Sequence, residues 1–179
     1  MNFSYFPDGL NHFLCGLLFL GIFFRLRCRR EDFTPLLVLG LLAGSSALFF
    51  LPAKLPLLSK AGNYYYQFLH YPISDWDILL LGGRWHRFFL THSVFIPLFL
   101  SPAARNRRAA LFLLGLTLGI ASHLAWDACA SPNPLIVFYP HYLFMRSIVA
   151  KIWLGLNTLA LLFLAAIYAR LAEKSEEFN

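Results

Sequence analysis

The chain has 179 residues, 59% of them hydrophobic and only 13% charged, and its mean hydropathy of +0.61 lies outside the range of ordinary soluble domains. The net charge of +6 and pI near 9.5 come from arginines that sit beside apolar stretches rather than in an aromatic-interleaved patch, which excludes nucleic acid as a partner. The three cysteines, Cys15, Cys28 and Cys129, form no CxxC pair and leave an odd one, so they point to neither a disulfide framework nor a thiolate zinc site.

Apolar runs near the ~20 residues needed to span a bilayer recur along the chain, and no linker, repeat or charge block divides it. The expectation is therefore a single all-α domain over residues 1–179, an integral membrane helical bundle with about five transmembrane helices. The spans fall at 10–24, 35–51, 85–101, 109–130 and 148–169. The first lacks the basic start and small-residue cleavage site of a signal peptide. Arg25, Arg27, Arg29 and Arg30 follow it, and the positive-inside rule makes that cluster cytoplasmic. This places the N-terminus outside and the C-terminus inside, in the plasma membrane of a bacterium or archaeon. Arg105, Arg107 and Arg108 then also lie inside, while segments 52–84 and 131–146 lie outside.

Polar residues interrupt these spans in chain order. His12 stands at the start of the first span, where alone it reads as an interface residue, as do His70 and His141 elsewhere. Asp75-Trp76-Asp77 precedes an apolar run; such acidic pairs commonly cap helices, but acidic residues are scarce in this chain. Trp85-His86-Arg87 suits either the lipid headgroup layer or the binding of an anionic, phosphate-bearing group. His92, between Thr91 and Ser93, is either a satisfied core histidine or a ligand.

In the fourth span Gly115 and Gly119 form a small-residue row that lets another helix approach closely. The row continues into His123 and Asp127, four apart and on one helix face. A bland outcome is a packing seam ending in an interhelical hydrogen bond. A carboxylate at that depth costs several kcal/mol unless compensated, and a bound metal ion compensates it economically. With this topology His12, Asp75, Asp77, His86, His92, His123 and Asp127 all reach the same side of the membrane.

Taken in order, His12, Ser74-Asp75-Trp76-Asp77, His86-Arg87 through Thr91-His92-Ser93, and His123 through Asp127, followed by Tyr139-Pro140, resemble the YdjM-like family of membrane-bound metal-dependent hydrolases. Asn11, Ser74 and Phe88 stand where that pattern has Thr, Pro and Gly. The resemblance implies a metal and hydrolysis, and names no substrate.

The leading expectation is thus a membrane-bound metal-dependent hydrolase with its centre near the outer surface. His12, Asp77, His92, His123 and Asp127 are the expected ligands, with at least one of Asp75 and Asp77 in the shell. Imidazole and carboxylate donors suit Zn²⁺ first, with Mn²⁺ or Fe²⁺ as alternatives and room for two ions. Asp75 is expected as general base and His86 and Arg87 as groups that steady an anion. Headgroup depth points to a phospholipid or lipid-linked phosphate as substrate and membrane lipid as partner. The rivals are a metal or proton transporter, which needs polar residues through the full membrane depth, and a structural membrane protein without catalysis.

Overall fold

The computed structural model describes residues 5–27, 33–52, 54–139 and 143–175. Cys28, Arg29, Arg30, Pro140 and His141 lie outside these residues. The fold is mostly helical, with one short hairpin. The uninterrupted apolar runs form the long helices α1 (Tyr5–Arg27), α6 (Arg107–Ala130) and α7 (Ser147–Lys174). Among the described residues these three are long and apolar enough to cross a membrane. Their apolar windows are buried to 28%, 78% and 44%, so α6 is the central helix and α1 and α7 flank it. The outer face of α7 exposes Ile148, Ile152, Leu156, Leu159 and Phe163, a stripe compatible with lipid.

The other two expected spans are built differently. Helix α2 (Pro35–Ser45) starts where Pro35 follows the Thr34 cap, whose hydroxyl accepts from the Leu37 N–H at 3.4 Å. It ends after 11 residues, because Ser46 and Ala47, the latter at φ 47°, turn the chain before residue 51. Segment 85–101 is no single helix either. The Thr91 and Ser93 hydroxyls accept no helical role but bond back to the carbonyls of Phe88 and Leu90, at 2.9 Å each. Only α5 (Phe95–Leu100) remains helical there.

Between α2 and α5 the chain forms α3 (Lys60–His70), a 3₁₀ turn at Ile73–Asp75, α4 (Trp76–Leu81) and a second 3₁₀ turn at Gly83–Trp85. Gly82, at φ 91°, makes the sharp exit from α4 that few other residues tolerate. Residues 131–146, expected as a loop, carry an antiparallel hairpin of β1 (Leu135–Tyr139) and β2 (Leu143–Arg146). The hairpin docks on the ligand-bearing segment: the Val137 N–H donates to the Arg87 carbonyl and the Phe89 N–H to the Val137 carbonyl, both at 3.0 Å.

Glycine sets the closest packing. A Cβ on Gly115 or Gly119 of α6 would collide with the carbonyls of Leu37 or Leu41, and one on Gly40 or Gly44 of α2 with the carbonyls of Phe112 or Leu116. The two helices therefore meet backbone to backbone, the small-residue contact expected of the Gly115–Gly119 row. Below it lies an aliphatic core of Leu37, Leu41, Leu114, Leu118 and Leu161.

Candidate metal centre

Four separate parts of the chain converge at the hairpin end of α6. Helix α6 brings His123 and Asp127, one turn apart, and α1 brings His12. The 3₁₀ turn and α4 bring Asp75 and Asp77, and the 86–92 segment brings His86, Arg87 and His92. His12, Asp75, Asp77, His92, His123 and Asp127 are all buried, while His86 stays partly exposed. Six such side chains without compensation would cost the fold many kcal/mol.

The two central histidines are oriented from behind. His123 Nδ1 lies 3.2 Å from the carbonyl oxygen of Ser45, the last residue of α2. A carbonyl only accepts, so Nδ1 carries the proton, and whenever the ring is neutral its lone pair is on Nε2, on the far side. That Nε2 is 3.4 Å from Asp75 Oδ1 and 4.0 Å from Asp127 Oδ2. His92 repeats the pattern. Its Nδ1 faces Asp77 Oδ2 at 3.5 Å and the Thr91 hydroxyl at 3.1 Å. Its Nε2 faces Asp75 Oδ1 at 3.6 Å and Asp127 Oδ2 at 3.7 Å.

The Nε2-to-carboxylate separations of the two rings are long for hydrogen bonds. They are close to the roughly 3.3–3.6 Å between neighbouring ligand atoms around a four-coordinate ion with bonds of 2.0–2.2 Å. Asp75 Oδ1 and His92 Nε2 are buried with no hydrogen-bond partner, a need that an ion between them would satisfy. Two overlapping sets have donor atoms mutually within 4.8 Å: Asp75, His92 and His123, and His12, His123 and Asp127. His12 stacks on His123 with ring centroids 4.2 Å apart, and its Nδ1 too is buried without a partner.

The expected ligands and catalytic groups therefore meet in one place, in a particular division. Asp75 points an oxygen between the two Nε2 atoms, whereas Asp77 sits behind His92. Asp77 Oδ2 also accepts from the Phe88 N–H and the Thr91 hydroxyl, both at 2.8 Å, and so folds the 88–92 turn around itself. Burial raises the Asp77 carboxyl, but His86, His92 and the Phe88 N–H outweigh it and hold the group at about 2. Burial opposes ionisation of Asp75 as well, yet His123, His92 and His86 keep it well below the ordinary carboxylate range. Both are carboxylates at neutral pH.

Arg87 is committed to Asp127 by a two-pronged pair, Nε to Oδ2 at 2.8 Å and an Nη to Oδ1 at 3.0 Å, with Ser131 Oγ as a further acceptor at 2.8 Å. Its φ of 62° is a left-handed conformation enforced by the hairpin bond to its carbonyl. His86 Nδ1 lies 3.9 Å from Asp75 Oδ1 and 3.8 Å from Asp77 Oδ1.

Several supporting groups escape a reading of the sequence. The Ser45 carbonyl is a backbone atom with no side-chain signal. Trp153 and Asn157 of α7 hold the His92 turn: the indole N–H donates to the His92 carbonyl at 3.1 Å, and Asn157 Oδ1 accepts from the Val94 N–H at 3.0 Å. Asn157, polar within an apolar span, was the available clue.

Residues 12–178 match the model of a family described as "Domain of unknown function (DUF5942)". No curated protein and no solved structure matches the chain.

Proposed function

The chain belongs to the DUF5942 family, and from its own residues we propose that it is a membrane-bound metal-dependent hydrolase acting on a phospholipid or lipid-linked phosphate. One observation carries this: two buried histidines from different elements, each with Nδ1 engaged from behind, turn Nε2 toward the same carboxylate oxygen of Asp75. That arrangement of imidazole, second partner and open lone pair is how proteins prepare metal ligands.

His92, His123 and Asp75 would form the inner ligand set, with Asp127 and His12 completing it on the α1 side. The donors suit Zn²⁺, with Mn²⁺ or Fe²⁺ as alternatives. When bound, such an ion supplies an acidified water and a Lewis acid for a phosphoryl or acyl oxygen. Asp77 orients His92. Arg87 offsets the charge of Asp127 and edges a surface cavity of about 450 Å³, also lined by Arg84, His86 and Arg146 above apolar Val137 and Phe144. That lining suits an anionic group. A second cavity of about 880 Å³, lined by Ile73, Trp76, Leu90, Phe95 and Phe99, is almost wholly apolar. Ile73 and Leu90 are each two residues from a ligand, which favours a substrate with both a phosphate and a hydrocarbon part.

The five-crossing arrangement, with the N-terminus outside, remains part of this proposal. Helices α1, α6 and α7 would cross fully. Helix α2, about 16 Å long at ~1.5 Å per residue, and segment 85–101 would serve as shorter passes. A transporter is less favoured, because α6 toward its N-terminus buries Leu111, Leu114 and Leu118 with no titratable residue among them.

The test pairs metal content with hydrolysis of phospholipid in vesicles by the purified protein. The expected result is stoichiometric metal and lipid hydrolysis in the unaltered chain, and in His123→Ala loss of activity and of the ion that His123 holds, with helical content retained. Undiminished metal content in His123→Ala, or full activity after chelation, would overturn the proposal.

A further inference from the structure

We propose that the protein holds a second divalent cation, between Asp77 Oδ1, His86 Nδ1 and Asp75 Oδ1, so that Asp75 bridges two ions. This rests on the metal-centre reading above and extends it. An ion among His92, His123 and Asp75 gives a partner to His92 Nε2 and Asp75 Oδ1. Besides His12 Nδ1 and Ser74 Oγ, it leaves Asp77 Oδ1 and His86 Nδ1 buried without a partner.

These two atoms face each other at 3.8 Å. The Asp77 side chain is fully buried, and its other oxygen is fixed by the Phe88 N–H and the Thr91 hydroxyl, which aims Oδ1 at His86. A simple imidazolium–carboxylate pair would close to about 2.7–2.9 Å on one oxygen. His86 Nδ1 instead stands almost equally far from two carboxylates, 3.8 Å from Asp77 and 3.9 Å from Asp75. His86 Nδ1 thus lies between two carboxylate oxygens and pairs closely with neither, the place an ion would take.

The donor set differs from that of the first position. Two carboxylates and one imidazole that is 39% exposed leave open sides toward the basic cavity at Arg84 and Arg146, where water or a phosphate oxygen can complete the shell. Oxygen-rich, partly open sites suit Mn²⁺ or Mg²⁺ more than Zn²⁺. A carboxylate shared by two ions commonly sets them roughly 3.5–4 Å apart, spacing that clamps both the attacking and leaving oxygens of a phosphate ester.

The experiment uses tag-free full-length protein in detergent, loaded with Mn²⁺ alone, dialysed, and examined by metal analysis and low-temperature EPR. Two Mn²⁺ per chain with an exchange-coupled spectrum are expected, falling to one uncoupled ion in His86→Ala. One uncoupled ion in the unaltered chain would overturn the second position, a water then filling the gap, and would leave the metal-centre reading intact. No bound metal would overturn both. Two ions persisting in His86→Ala would overturn the assignment of His86. The count and spectrum of the unaltered protein decide the matter even where the variant does not fold.

Discussion

Thr91 shows how one hydroxyl reaches the candidate centre without touching it. It donates to Asp77 Oδ2, and Asp77 in turn faces His92 Nδ1. Thr91→Val keeps the shape and removes the bond, so metal affinity should fall about 10–100-fold, as for other outer partners of ligating histidines, with circular dichroism unchanged. Unaltered affinity in a metal titration would show that Asp77 does not need this support. The titration of the site should belong to its imidazoles. Asp77 is held at about 2 and Asp75 well below the ordinary range, so neither protonates near neutral pH. An ion binds neutral imidazole, and protons compete as pH falls. Metal retention should thus be complete near pH 8 and fall on acidification as the imidazoles take up protons. Retention that does not change between about pH 8 and pH 4 would count against imidazole ligands.

At the level of elements, the α2–α6 seam does two jobs. Gly115 and Gly119 admit the α2 backbone, and the same approach brings the Ser45 carbonyl to His123. Gly119→Leu should therefore destabilise the protein by at least ~1–3 kcal/mol and lower metal content together. Gly155→Ala in α7, where a Cβ meets nothing, is the control and should lower neither in a thermal-shift and metal assay. The seam was legible from the glycine spacing, and α1, α6 and α7 from continuous apolar runs. The breaks within 35–51 and 85–101 were not, because hydropathy averages over the features that cause them: Ala47 at positive φ, and the Thr91 and Ser93 hydroxyls that capture local carbonyls. The hairpin escaped for a related reason. Leu135–Tyr139 is a short apolar run without strict alternation, and what holds it is a pairing with Arg87 and Phe89 far away in the chain. Likewise the identities of the clustered histidines and aspartates could be read directly, but the division between Asp75 and Asp77 depends on which oxygen faces which ring.

For the whole molecule, orientation is the property that most constrains its substrate. An external N-terminus and cytoplasmic C-terminus predict that a cysteine replacing Arg107, in a background free of other cysteines, resists an impermeant reagent in intact cells. Ready labelling there would reverse the topology. The grip of α7 on the His92 turn carries a consequence for biogenesis. The proposed ligands run from residue 12 to residue 127, yet the turn that presents His92 is also held by Trp153 and Asn157, which come later in the chain. During synthesis every donor has emerged before the part that fixes one of them. A nascent chain halted before residue 147 should hold all the proposed ligands but lack the α7 contacts that steady His92, so full metal affinity is expected only once α7 has docked.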